Sequence, residues 1–209
     1  MSRTTALRAF MVGAPLAFAG LLTQHPMGTG DMYTEVSQNV TPWLAVHYGG
    51  AVFFPLMALV IWLLIRDLSG RAATIARFAL PVYAVFYTVW EAIFGIATGI
   101  LADTGNDLGA AEREGAAAAV DNIVSSPIVG EAGVFGSIGG LAWWVAISAA
   151  IMALKHAGAS RVALVLLGVG GLMTFHVPIG PPALVCLSGA AYLIERRRAA
   201  ALALQPAPA

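Results

Sequence analysis

Four ionisable side chains stand out because each lies in or beside a strongly apolar segment: His25, His47, Glu91 and His176. Imidazole and carboxylate groups together suit zinc, copper, iron or nickel. Two histidines from different helices can instead ligate a haem iron axially, and since the chain has no CxxCH motif, such a haem would be non-covalent. The residue types therefore predict a transition-metal or haem site, with Glu91 as the acid or base of any reaction there.

These groups are expected to share one depth in a membrane. Counting about 1.5 Å per residue from the nearest cytoplasmic arginine places Glu91 and His176 about 21 and 22 Å from that side. The same count gives about 26 Å for His25 and about 28 Å for His47, with Glu131 slightly further out. The three histidines and Glu91 fall in the outer half of a hydrocarbon core about 30 Å thick, so we expect one outward-facing polar pocket, with Glu131 as a candidate further metal ligand.

Each residue also has a simpler explanation. His25 and His47 could be interfacial anchors, and Glu131 could be a carboxylate favoured at a helix N-terminus. Glu91 could be a protonated carboxyl bonded to a helix carbonyl. A charged carboxylate near mid-membrane costs at least about 2.5 to 3.5 kcal/mol, which favours a functional role for Glu91. His156, in a cytoplasmic turn, is expected to be a solvated loop residue.

Two further sets of side chains are expected around the pocket. Hydroxyl groups that could fix the imidazole tautomers by hydrogen bonding are those of Thr23, Thr174, Tyr48 and Tyr87. Aromatic rings expected to form apolar walls are Trp43, Tyr48, Phe53, Trp90, Phe94 and Phe175.

The composition is that of a polytopic membrane protein. The chain is 59% hydrophobic and 11% charged, with a mean hydropathy of +0.81. Its 209 residues leave room for about six spans of roughly 20 residues. The formal net charge is zero, and a nucleic-acid partner is not expected. Because Cys186 is the single cysteine, an intramolecular disulfide and paired-thiol redox chemistry are excluded.

The predicted fold is all-α: a polytopic bundle of six transmembrane helices forming one domain over residues 1–198. The predicted spans are 6–24, 43–65, 77–101, 127–154, 161–176 and 182–194, and residues 199–209 are predicted to be a disordered tail. Ser125-Ser126-Pro127 is expected to begin the fourth span, the serines capping it and the proline in its first turn. A short surface helix is allowed for within 26–42, and an amphipathic helix is expected within 102–121.

Charge segregation predicts the orientation. The basic residues expected on one face are Arg3, Arg8, Arg66, Arg71, Arg77, Lys155, Arg161, Arg196, Arg197 and Arg198, against Arg113 alone on the other. The acidic residues expected on the opposite face are Asp31, Glu35, Asp103, Asp107, Glu112, Glu114 and Asp121. By the positive-inside rule both termini are cytoplasmic. The bias toward alanine, glycine and arginine is typical of a high-GC bacterium, which predicts the bacterial inner membrane.

A short pattern occurs twice, at 20–28 and at 171–180. Each copy closes an apolar segment with a threonine, a histidine two residues later, and then a proline and a glycine. The pattern predicts a parallel repeat of helices 1-2 and 5-6, although chance similarity between two glycine-rich helices is an equal alternative.

The functional expectation is therefore an integral inner-membrane protein whose outward pocket binds a transition metal or haem, for redox chemistry or metal handling. Three alternatives stay open: a proton-coupled small-molecule carrier, a cofactor-free acid/base enzyme acting on a lipid-soluble substrate, and a structural subunit of a membrane complex. The expected partners are the lipid bilayer, a second copy or a membrane-complex subunit, and a lipid-soluble small molecule. No HExxH, GxSxG or Walker motif supports hydrolase or nucleotide chemistry.

Overall fold

The computed structural model describes residues 3–27 and 30–203; Gly28 of the repeated pattern and residues 204–209 of the predicted tail lie outside the described residues. The protein is 83% helical, and the described residues form no strand, so the all-α prediction is confirmed. Four helical segments within those ranges are long and apolar enough to cross a membrane. They are Thr5–Leu22, Val40–Leu64, Arg71–Asn106 and Val134–His156.

The helices follow one another with short connections. In chain order they are α1 (Arg3–Leu22), α2 (Met32–Gln38), α3 (Val40–Leu64), α4 (Arg71–Trp90), a π-helical segment (Glu91–Ala97), α5 (Thr98–Asn106), α6 (Ala110–Val124), α7 (Val134–His156), α8 (Arg161–Gly170), a 3-10 helix (Gly171–Phe175) and α9 (Gly180–Ala203). The short helix expected within 26–42 is α2, which Asp31 caps by accepting a hydrogen bond from the Thr34 amide at 3.1 Å.

The predicted start of the fourth span, at Pro127, is wrong. Ser125 ends α6, and Ser126 uses its hydroxyl to accept hydrogen bonds from the amides of Ile128 and Val129 within a turn. The chain turns again before α7 begins at Val134. A serine hydroxyl stabilises such a turn as readily as a helix N-terminus, so the sequence signal was ambiguous.

The last two apolar segments differ from the predicted spans. The fifth keeps α-helical geometry only to Gly170 and tightens into the 3-10 helix, which ends at Phe175. The sixth, α9, extends to Ala203, five residues beyond the predicted boundary at Arg198. Residues 199–203 of the predicted disordered tail are therefore helical.

The core lies between paired helices. α4 and α7 pack along much of their length, where Gly139 brings its backbone against Tyr87 and Gly136 brings its backbone against Trp90. A Cβ at either glycine would be tight against these rings, so the smooth face of α7 sets the close approach. α9 packs against both α1 and α8, and α3 packs against α4.

A second, smaller core covers one end of this bundle. It is formed by α2, α5 and α6 together with the start of α3, through Tyr33, Val36, Trp43, Ala102 and Val120. The histidines and Glu91 lie beneath this end.

The opposite end is held by a buried carboxylate that the sequence analysis did not single out. Glu195 is 2% exposed and forms ion pairs with Arg66 at 3.0 Å, with Arg198, and with Arg8 at 3.8 Å. Burial alone would raise the pKa of Glu195, but hydrogen bonds from Arg66 and Arg198 outweigh it and hold the pKa below its ordinary value. Arg77 donates to the carbonyls of Ile65, Arg66 and Leu68 beside this cluster, so basic residues gather at one end of the bundle.

Candidate functional site

The three predicted histidines meet at the end of the bundle beneath the smaller core. The ring centroids of His25 and His47 lie 5.3 Å apart, those of His25 and His176 lie 5.8 Å apart, and those of His47 and His176 lie 6.5 Å apart. Glu91 lies among them and is fully buried. Residues separated by up to 151 positions in sequence (176 − 25) thus form one cluster.

His47 and Glu91 form the central hydrogen bond. Nδ1 of His47 lies 2.8 Å from Oε1 of Glu91, and both side chains are almost completely inaccessible to solvent. When Glu91 is a carboxylate, Nδ1 of His47 carries the proton and donates it. Nε2 of His47 is then the ring nitrogen with a free lone pair, and it is buried without a hydrogen-bond partner among the described residues.

His25 is oriented in a similar way by the backbone. It follows the end of α1, where its amide donates to the carbonyl of Leu22 at 3.1 Å. Its Nδ1 lies 2.7 Å from the carbonyl oxygen of Pro26, which can only accept, so Nδ1 carries a proton. Burial lowers the pKa of His25 and outweighs the raising effect of that carbonyl, which favours the neutral ring with its lone pair on Nε2.

His176 is positioned by an unusual backbone conformation. It follows the 3-10 helix with φ of 46°, a region that non-glycine residues rarely occupy and that costs about 1 to 3 kcal/mol. Its amide donates to Met173 and its carbonyl accepts from Gly180. The ring turns inward, with Nε2 at 4.0 Å from Oε2 of Glu91, beyond hydrogen-bond distance. Both atoms are buried, and neither has a hydrogen-bond partner among the described residues.

Two glycines create the space that Glu91 and His47 occupy. A Cβ at Gly50 of α3 would collide with Oε1 of Glu91, and a Cβ at Gly95 of the π-helical segment would collide with the ring of His47. The π-helical segment itself begins at Glu91. Wide turns of this kind are frequent at functional sites because they displace side chains from the regular helical register.

Aromatic donors tie each irregular segment of the site to a neighbouring helix. The indole of Trp43 donates to Gly95 at 2.7 Å, that of Trp90 to Gly130 at 3.0 Å, and that of Trp143 to Gly171 at 2.8 Å. The hydroxyl of Tyr87 donates to the carbonyl of Thr174 at 3.1 Å. Buried indoles need such partners, so the need for an acceptor was predictable although its identity was not.

The expected hydroxyl partners of the histidines are mostly elsewhere. Thr23 donates to the carbonyl of Gly20, and Tyr48 is 51% exposed. Glu91 and the Pro26 carbonyl take the orienting role instead. The prediction of Thr23 and Tyr48 for that role is wrong, because a threonine near a helix end readily bonds its own backbone.

A cavity of about 550 Å³ opens beside the histidines. Of the predicted aromatic walls, Trp43, Trp90, Phe94 and Phe175 line it, whereas Tyr48 and Phe53 do not. Glu131 lines the cavity from the loop before α7 and is exposed. Glu35, Trp144 and the backbone of Gly136 and Gly140 also line the cavity and were not predicted to do so. Glu35 lies on α2, the short helix expected within 26–42, for which no contact with the pocket was predicted.

The histidine and carboxylate side chains are adjacent but not drawn together around one point. Among the described residues, no group of three or more His, Cys, Asp and Glu side chains stands in metal-binding geometry. Ion binding would require small ring rotations within the cluster.

Comparison with known proteins gives no family for this chain. No protein-family model matches it, and it has no significant similarity to a curated protein or to a solved structure. Function must therefore be inferred from the site.

Proposed function

We propose that this protein is a six-span membrane protein whose outward pocket binds a divalent transition-metal ion through His25, His47 and His176. The supporting observation is that Nε2 of His47 and Nε2 of His176 are buried without a hydrogen-bond partner among the described residues, and that the ring of His25 lies next to both. Burying such ring nitrogens without partners is costly, and a cation bound by the histidines would offset that cost.

The spacing of the rings agrees with one shared ion. At a metal–nitrogen distance of about 2.0 Å, each ring centroid lies about 3.2 Å from the metal, so two tetrahedral ligands have centroids about 5.2 Å apart. The His25–His47 separation of 5.3 Å matches this spacing, whereas the separations of 5.8 and 6.5 Å to His176 are wider and would have to shorten on binding. Glu91 orients His47 through Oε1 as an outer partner of the ion, and its Oε2 can act as a base.

A haem is less well supported than a lone ion. Two axial histidines on opposite faces of a haem have ring centroids about 6.4 Å apart, which His47 and His176 would meet. Glu91, however, binds Nδ1 of His47 and lies only 4.0 Å from Nε2 of His176, the ring nitrogen that would have to bind the iron. We therefore propose that the protein binds a single metal ion, for redox chemistry or metal handling.

The remaining topology is part of the same proposal. The bundle would cross the membrane through α1, α3, α4–α5, α7, α8 and α9. Arg8, Arg66, Arg77 and Arg198 gather at the end away from the histidines, which supports cytoplasmic termini and a pocket facing outward from a bacterial inner membrane. In each copy of the repeated pattern, the histidine reaches the same cluster. The two local conformations differ, since α1 ends in a turn and the second copy is a 3-10 helix.

The test is equilibrium dialysis of the purified protein against Cu²⁺, Ni²⁺ or Zn²⁺. We expect about one ion per chain, with at least tenfold weaker binding in His25→Ala, His47→Ala and His176→Ala. His156→Ala is the matched control, because His156 is exposed at the opposite end of α7. Equal binding by all four variants, or no binding by the wild type, would refute a metal site.

A second candidate is cofactor-free acid/base chemistry by the Glu91–His47 pair. The cavity volume of about 550 Å³ favours it, since a metal ion alone does not need that space. Retained turnover of a lipid-soluble substrate after exhaustive metal removal would distinguish it from the metal site.

A further inference from the structure

The cavity is much larger than the proposed metal site requires. Small-molecule sites occupy about 300 to 1,000 Å³, whereas one water molecule takes about 30 Å³. At about 550 Å³, the cavity leaves room for an organic molecule beside the histidine cluster. Its lining combines histidine and carboxylate groups with Trp144, Phe175 and glycine backbone.

Gly140 of α7 differs from the neighbouring glycines because it has open space beside it. A Cβ at Gly140 would meet nothing within 4 Å, whereas Cβ atoms at Gly136 and Gly139 would press on Trp90 and Tyr87. Gly136 and Gly139 thus serve helix packing, but packing does not explain Gly140. A ligand in the cavity can therefore lie directly against the backbone of Gly140.

The helical segment beside this part of the cavity is shorter than a membrane span. α8 and the 3-10 helix together rise about 25 Å, less than a hydrocarbon core about 30 Å thick. They end at Phe175, which is 56% exposed, while α7 continues outward past Gly140 to Val134. Ser137 of α7 also lines the cavity and is exposed.

The charges at the rim limit what can bind. Glu35 and Glu131 line the cavity on its outer side, and both would repel an anionic headgroup. A phospholipid phosphate is therefore disfavoured, whereas a neutral ring bearing hydroxyl or carbonyl groups meets no such penalty. Its oxygen atoms would face the histidines, and its apolar part would face Trp144 and Phe175.

We propose that the space between α7 and the 3-10 helix binds a neutral, lipid-soluble molecule with a planar hydroxyl- or carbonyl-bearing ring, admitted from the outer leaflet along Gly140. This rests on the proposed function, because the ring is placed next to the histidine cluster. It also extends that function, since it names the class of organic molecule that the site takes beside the metal ion.

The probe for the test is a benzoquinone carrying a ten-carbon chain, which quenches tryptophan fluorescence when it binds close to an indole. Trp43, Trp90 and Trp144 line the cavity and are the reporters. In phosphatidylcholine nanodiscs we expect saturable quenching of the wild type. Gly140→Phe should weaken quinone binding at least tenfold, because the added ring would fill the open space beside Gly140. Gly140→Leu should weaken it less, because the leucine side chain is smaller.

Leu141→Phe is the matched control, since Leu141 is the next residue on α7 and is 67% exposed. We expect it to bind the quinone as the wild type does. Unsaturable quenching of the wild type, or equal quenching of wild type and Gly140→Phe, would overturn the proposal. So would equally strong quenching by phosphatidylcholine with brominated acyl chains, because a bilayer lipid would then occupy the cavity.

Metal dialysis on the same samples separates this inference from the proposed function. Gly140→Phe should still bind one ion per chain. Metal binding without saturable quinone binding would overturn only the ligand proposal, and quinone binding without metal would overturn only the metal site.

Discussion

Nδ1 of His47 lies 2.8 Å from Oε1 of Glu91, and this hydrogen bond joins α3 to the first residue of the π-helical segment. When Glu91 is a carboxylate, this bond places the proton of His47 on Nδ1 and leaves the lone pair on Nε2, which is buried without a hydrogen-bond partner among the described residues. A carboxylate in this position also makes the imidazole a stronger base and ligand.

Replacing Glu91 by Gln should weaken metal binding about 10- to 100-fold, because the amide oxygen can still accept from His47 but carries no charge. Equilibrium dialysis against Cu²⁺ measures the change. Glu114→Gln, on the exposed surface of α6, removes the same charge elsewhere and should leave the affinity unchanged. An unaltered affinity in Glu91→Gln would assign Glu91 to packing alone.

Gly95→Ala should displace the ring of His47, because the added Cβ would collide with it. We expect a loss of thermal stability of about 1 to 3 kcal/mol together with weaker metal binding. Gly20→Ala is the control, since a Cβ there meets nothing within 4 Å. If Gly95→Ala bound metal like the wild type, the close approach of α3 to the π-helical segment would have no role in the site.

The acidic rim should speed cation entry. Removing both charges, in Glu35→Gln/Glu131→Gln, should slow Cu²⁺ association about tenfold at low ionic strength, with a smaller difference at high salt. Stopped-flow tryptophan quenching gives the rate. Asp103→Asn/Glu114→Gln removes two charges from exposed positions that do not line the cavity, and its association rate should change much less. Equal slowing in both double variants would indicate only a general surface potential.

The proposed orientation can be tested by cysteine labelling of intact cells in a Cys186→Ser background. Glu114→Cys should react with a membrane-impermeant maleimide from outside. Lys155→Cys should react only after the membrane is permeabilised, because Lys155 lies at the opposite end of α7 from the pocket. The reverse pattern would invert the topology and place the pocket on the cytoplasmic side.

Glu195→Gln should destabilise the protein by about 3 kcal/mol, since it leaves arginines beside a neutral side chain in a buried network. The folded-state pKa of Glu195 lies below its ordinary value of 4.5. Its stabilisation is therefore complete above that value and is lost as pH falls through the folded-state pKa. Thermal unfolding between neutral and acid pH should show a smaller loss of stability on acidification in the variant. Parallel curves for the two proteins would contradict this role.

The sequence alone identified the all-α class and the four side chains that form the cluster. Hydropathy supplied the class, because long apolar segments must satisfy their backbone hydrogen bonds within helices. The cluster was predicted by counting residues from the cytoplasmic arginines to each ionisable side chain. Ionisable groups are costly in hydrocarbon, so several of them at one predicted depth indicated a shared pocket. The burial of Glu195 was not predicted, because the basic stretch in which it lies is typical of a helix end exposed to solvent.

Only the tertiary structure decided how those four side chains relate to one another. The contact of Glu91 with His47 depends on the gaps at Gly50 and Gly95, which belong to different helices and have no common sequence signal. The start of α7 at Val134, seven residues after Pro127, depends on turns whose serine bonds resemble a helix cap. Helices pair in lipid where their backbone and side-chain surfaces pack closely together. The sequence of one helix does not specify that packing, because it depends on the surfaces of both helices.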